Sequence, residues 1–154
     1  MSMEKYNKIH FIGIGGISMS SLAEILKSKG KTITGSDGVA SNVTKALENI
    51  GIQVSIGQKA ENITPDTDLI VYTAAVKEDN PELMAARASG IETVDRAALV
   101  GMMMLEYKFP LSVAGTHGKT TTSSLVTEIF LEANTNPTVS IGGILPSIKG
   151  NYKV

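Results

Sequence analysis

Short β-branched runs alternate with longer segments of helical period along the whole chain, and this alternation restricts the fold more than any other feature. KIHFIGIG (8–15) reads as a buried strand, and SMSSLAEILKSKG (18–30) as a helix closed by Gly30. Met19, Leu22, Ile25 and Leu26 form the apolar stripe of that helix. Further strands are predicted over 31–37, 52–57, 68–76, 91–95, 109–116 and 137–143, and further helices over 42–51, 81–89, 96–106 and 119–133. Strands separated by helices of this length predict an α/β fold: a Rossmann-like parallel sheet, joined by right-handed crossovers, with helices on both faces.

A boundary is predicted at EYKFP (106–110), where a helix ends and proline restarts an extended run. Residues 1–106 then make one Rossmann-like unit. Residues 107–154 supply one strand, one helix and a second strand, too little to bury a sheet alone. The closing KGNYKV caps nothing. The expectation is an incomplete beginning of a second domain.

Composition removes several classes of function. The formal net charge of −1 gives no electrostatic basis for binding nucleic acid or an anionic membrane. With 5% aromatic residues and no tryptophan, there is little on which to stack single-stranded bases. No run approaches the roughly 20 apolar residues that span a bilayer, and MSMEKYNKIHFIGIGG does not read as a secretory signal. The absence of cysteine excludes disulfides and thiolate metal sites. A cytoplasmic protein is expected.

Two glycine-rich turns carry the chemistry. In the first, Gly13-Ile14-Gly15-Gly16-Ile17-Ser18 follows a strand and opens a helix, the context that a dinucleotide fingerprint requires. Glycines let backbone N–H groups approach a diphosphate, and the helix N-terminus adds partial positive charge. Asp37, at the end of the second strand, is placed to accept from a ribose hydroxyl. Ser18 stands where the third glycine would be. NAD, FAD and a UDP-sugar all present a diphosphate, so the pattern leaves the nucleotide open.

The second turn is SVAGTHGKTTTSSLV (112–126). A general P-loop would carry glycine at position 113, where Val113 stands; the extra glycine is Gly115. The tail Gly118-Lys119-Thr120 is intact. Backbone amides at the helix start would hold phosphate oxygens, Lys119 would reach the β- and γ-phosphates, and the Thr120 hydroxyl could ligate Mg²⁺.

AGTHGKTTT resembles the ATP loop of the Mur ligases, the cytoplasmic enzymes that build the peptide of bacterial peptidoglycan. IHFIGIGGISMSSLAEIL followed by GSD resembles the member that adds the first amino acid. DLIVYTAAVKEDNPEL, DRAALVGMMM and PTVSIGG fall where the family has related segments, so the likeness runs from about residue 8 to the end. Thr73-Ala74-Ala75 stands where two serines are common.

The resemblance implies that Gly13, Ile14, Gly15, Gly16 and Ser18 hold a UDP diphosphate with backbone groups and that Ser36 and Asp37 face the uridine. It also implies that Thr73, Ala74 and Ala75 line the nucleotide cleft. Arg96 is either a counter-charge to phosphate or an ordinary solvated arginine. Gly115, Thr116, His117, Gly118, Lys119, Thr120 and Thr121 would bind ATP, with Thr120 on Mg²⁺. Lys119, Thr120 and His117 are the implied catalytic groups, His117 by orienting the loop or by meeting substrate.

The implied reaction activates the lactyl carboxylate of UDP-N-acetylmuramate with the γ-phosphate of ATP. The acyl phosphate is then attacked by the amine of L-alanine, forming an amide. Two anions must approach each other, which calls for cation clamps. Such ligases have three domains, so the expectation is a fragment that binds the UDP-sugar weakly and does not ligate alone. Its exposed apolar groups would offer a route to self-association. The alternatives are a sibling ligase that recycles a ready-made peptide, an NAD-dependent dehydrogenase and a nucleotide sensor. The run Met102-Met103-Met104 reads as core packing.

Overall fold

A computed structural model describes residues 3–154, which cluster into two compact units, the first ending at Lys108 and the second Phe109–Val154. In the first unit β1 (Lys8–Ile12), α1 (Ile17–Ser28), β2 (Thr32–Asp37), α2 (Asn42–Asn49) and β3 (Gln53–Ile56) come first. A polar stretch follows, then β4 (Leu69–Tyr72), α3 (Pro81–Ala88), β5 (Glu92–Asp95) and α4 (Arg96–Met104). The five strands form one parallel sheet in the order β3-β2-β1-β4-β5. This is the Rossmann-like α/β arrangement that the alternation predicts.

The reversal of strand order between β1 and β4 opens a crevice at the carboxyl ends of the strands, where open α/β sheets bind ligands. One face of β1 and β4 presents Ile9, Phe11, Leu69 and Val71, all with no exposure. The stripe Met19, Leu22, Ile25 and Leu26 of α1 is buried as expected, and so are Met102 and Met103 of α4. Burying a side chain of this size stabilises by roughly 1.5–3 kcal/mol. On the opposite face Ile12 and Ile70 pack with Leu83 and Ala86 of α3.

Local signals set the helix starts. Ser41 and Thr44 form a reciprocal capping box on α2, Asn80 accepts from the amides of Glu82 and Leu83 on α3, and Asp95 accepts from Ala98 on α4. Each cap sits at the carboxyl end of the sheet or in the loop leading from it, so the α3 and α4 caps also fix side chains near the crevice.

The second unit departs from expectation at both ends. Residues 109–116 form no strand, because a strand needs a neighbour for its N–H and C=O groups and β6 (Val139–Leu145) pairs instead with β7 (Gly150–Lys153). The tail that was expected to cap nothing is therefore β7, antiparallel to β6, with Ser140 opposite Tyr152. Lys149, at φ +53°, turns the chain between them. Helix α5 (Lys119–Glu132) packs on β6; Val139, Ile141 and Leu145 form a small cluster with Ile148. Leu125, Ile129 and Ile144 remain exposed.

Candidate functional site

In the first unit the chain leaves β1 at Gly13, whose φ of +83° strongly favours glycine. A Cβ there would stand 2.5 Å from the Thr73 methyl, so the turn and the end of β4 are packed as one piece. A Cβ on Gly15 would meet an Asp37 carboxylate oxygen at 2.8 Å. The amides of Gly13 and Ile14 both donate to the Ser36 carbonyl at 2.9 Å, and the amide of Gly15 donates to Asp37 Oδ2 at 2.9 Å. Three consecutive amides of the turn are thus tied to the last two residues of β2.

Those ties limit what the turn can offer a diphosphate. The amides of Ser18 and Met19, in the first turn of α1, have no carbonyl one helical turn back, and the helix N-terminus is positive there. Gly16 and Ile17 are exposed at this end. Arg96, the first residue of α4, donates from Nη1 to Ser18 Oγ at 3.3 Å. Thr73, Ala74 and Ala75 follow β4 directly, with Thr73 N donating to Ile12 O at 3.3 Å. The structure therefore brings together at the carboxyl end of the sheet the glycine turn, Ser18, Asp37, Thr73 and Arg96, with Ala74 and Ala75 next to Thr73 in the chain. Its features are a glycine-lined surface, an oriented helix N-terminus and one cation.

One expected residue has another task. Ser36 was expected to face a nucleotide, but it is fully buried and its hydroxyl donates to Glu82 Oε2 at 2.6 Å. Its side chain is committed to the core because it lies on the face of β2 that α3 covers. Ile14 is also fully buried, and its Cδ1 would stand 2.6 Å from a Cβ on Gly35. It plugs the packing beneath the turn, and its amide is taken by the Ser36 carbonyl.

In the second unit the loop before α5 carries Gly115 at φ +157° and Gly118 at φ +76°. Gly118 is the N-cap in left-handed conformation, a role that favours glycine, and its carbonyl accepts the first helical bond, from Thr122 at 2.9 Å. The amides of Lys119, Thr120 and Thr121 precede that bond and point out of the helix mouth. Lys119 folds back across the loop and donates to the carbonyls of Gly115 at 2.6 Å and Thr116 at 3.1 Å. Gly115, Thr116, His117, Gly118 and Thr121 are exposed. Thr120 lies against β6: a Cβ on Gly143 would come within 3.1 Å of its methyl. Free backbone amides, an ammonium and the threonine hydroxyls thus gather at one helix mouth, the kind of donor set that holds an anion. Among the described residues no group of three or more His, Cys, Asp or Glu side chains could hold a metal ion.

The sequence analysis missed a buried polar network beneath the first turn. His10 Nε2 and Glu82 Oε1 are 2.8 Å apart, and His10 Nδ1 is 2.8 Å from Thr34 Oγ1. His10 is 2% exposed and Glu82 not at all. The available signal was a histidine inside an apolar strand together with a glutamate in the first turn of a helix. Their separation of 72 residues hid the pairing.

Residues 8–108 match the model of the Mur ligase family, catalytic domain. A UDP-N-acetylmuramate–L-alanine ligase of Agathobacter rectalis is 59% identical over 95% of this chain and 32% of its own length. One from Acetivibrio thermocellus is 54% identical over 97% and 32%. Among solved structures, the UDP-N-acetylmuramate-alanine ligase of Thermotoga maritima superposes with a TM-score of 0.85 at 38% identity, covering 95% of this chain and 34% of that one. The UDP-N-acetylmuramate:L-alanyl-gamma-D-glutamyl-meso-diaminopimelate ligase of Neisseria meningitides gives 0.88 at 30% identity, over 97% and 47%. The chain spans about a third of the length of the curated relatives it matches.

Proposed function

Since the chain belongs to the Mur ligase family, we propose that it carries the nucleotide-holding parts of an ATP-dependent, cytoplasmic ligase that joins L-alanine to UDP-N-acetylmuramate. The observation that carries this reading is the convergence of Ser18, Arg96, Asp37 and Thr73 on one glycine turn. Relatives of that name at 50–59% identity support the choice of substrate.

The first unit binds the UDP end of the sugar substrate. Backbone donors at the start of α1 and the Arg96 guanidinium meet the diphosphate, while Asp37 keeps lone pairs for a ribose hydroxyl. In the second unit the mouth of α5 would hold ATP: Lys119 would exchange its loop carbonyls for phosphate oxygens and Thr120 would ligate Mg²⁺. Bound MgATP supplies the γ-phosphate that activates the substrate carboxylate as an acyl phosphate. His117, exposed inside the loop, orients it or meets that carboxylate.

A dehydrogenase would account for the first turn but leave Gly118-Lys119-Thr120 without a task. The peptide-recycling ligase is the nearer alternative; the higher identity to alanine-adding relatives favours the first reading. The test is amide chemical-shift mapping with UDP. Shifts concentrated at residues 13–18, 37, 73–75 and 96 are expected; shifts elsewhere, or none at millimolar UDP, overturn the reading.

A further inference from the structure

We infer that Glu82 is a positioning residue for the diphosphate-binding turn, acting through Ser36. The inference rests on the reading of the first unit as a UDP site. Glu82 occupies the first turn of α3, whose N-terminus is fixed by the Asn80 cap, and Asn80 is itself held by a 2.7 Å bond to Gln58. A carboxylate is favoured at a helix N-terminus, and this one is fully buried with each oxygen engaged by a different strand. Oε1 pairs with His10 of β1 at 2.8 Å and Oε2 accepts from Ser36 of β2 at 2.6 Å. Thr34 closes the ring by meeting His10 Nδ1 at 2.8 Å. His10 and Thr34 are register partners, and Ile12 and Ser36 are the next such pair on that face.

Buried polar pairs seldom add net stability over a well-packed apolar substitute. Their contribution is directional. Here the direction leads to the site: the residue that Glu82 holds by its hydroxyl holds the turn by its carbonyl, which accepts from both Gly13 N and Ile14 N. The following residue, Asp37, takes Gly15 N. A shift of the β2 terminus would therefore move three amides of the turn and the Asp37 carboxylate together, loosening the start of α1 where the diphosphate would sit.

The experiment compares the full 154-residue chain with Glu82→Gln and Ser36→Ala, measuring amide hydrogen exchange residue by residue and the affinity for UDP. Glu82→Gln is expected to raise the UDP Kd about tenfold, the effect of losing one buried hydrogen bond. Exchange at Gly13, Ile14 and Gly15 should quicken by about the same factor relative to Ile9 and Val71 in the strand cores. Ser36→Ala should reproduce the exchange pattern in weaker form, and it decides the matter if Glu82→Gln does not fold. Exchange unchanged at the turn, or faster uniformly through β1 and β4, overturns the inference, as does an unchanged Kd. Failure of the wild-type chain to bind UDP would overturn the site reading instead, and the exchange comparison would still decide the role of Glu82.

Discussion

Arg96 Nη1 donates to Ser18 Oγ at 3.3 Å, joining the first residue of α4 to the mouth of the glycine turn. The two are 78 residues apart in sequence, and β4 and β5 lie between their elements in the chain. Asp95 sets the arrangement: by capping α4 through Ala98 N at 2.7 Å, it fixes where the helix starts and so where the guanidinium is carried.

Arg96 is exposed and makes this long contact at the surface, so Arg96→Ala should leave thermal stability within about 0.5 kcal/mol of wild type. UDP affinity should fall about tenfold, as expected for losing a charge-assisted contact to phosphate. Arg96→Lys should recover part of it. Calorimetric titration beside a thermal melt separates the two effects.

Gly13→Ala combines a positive φ with a methyl placed 2.5 Å from the Thr73 side chain. We expect a loss of about 2 kcal/mol or more, read as a fall in Tm of roughly 10 °C for a unit of this size. Adding Thr73→Gly removes the clash but not the φ cost, so the double variant should recover only part of the loss.

Asp68 Oδ2 accepts from the amides of Asn7 at 2.7 Å and Lys8 at 2.9 Å, at the start of β1. The Lys8 amide and then the Asn7 amide hold this carboxyl below its ordinary value of 3.8. A depressed folded-state pKa contributes stability that is present above the unfolded value and lost as pH falls through the folded one. Asp68→Asn should therefore be less stable than wild type at pH 7, and the gap should close as the pH falls below about 4. Urea unfolding at a series of pH values measures it.

Lys119→Met removes the ammonium that spans the carbonyls of Gly115 and Thr116. Any response of the chain to MgATP should disappear, while the UDP titration is unchanged, because the two ligands are assigned to separate units. Equal loss of both responses would contradict that division.

The sheet, its helices and both glycine turns were legible in the sequence because period and glycine placement are local properties. What failed was non-local. Residues 109–116 have the composition of a strand, but strand formation depends on a partner that composition cannot reveal. GNYK (150–153) has little strand character, yet it pairs with β6 because the turn at Lys149 returns it there. Ser36 sits beside Asp37 in a segment that reads as ligand-facing, but strand alternation turns its side chain into the core, towards Glu82. The His10–Glu82 pair was illegible for the same reason: nothing near either residue announces the other.

Calorimetric titration of the chain with UDP-N-acetylmuramate and, separately, with NADH tests the central claim most directly. The account predicts saturable binding of the UDP-sugar, lost on competition with UDP, and no heat from NADH. Saturable NADH binding with no response to the UDP-sugar would contradict it.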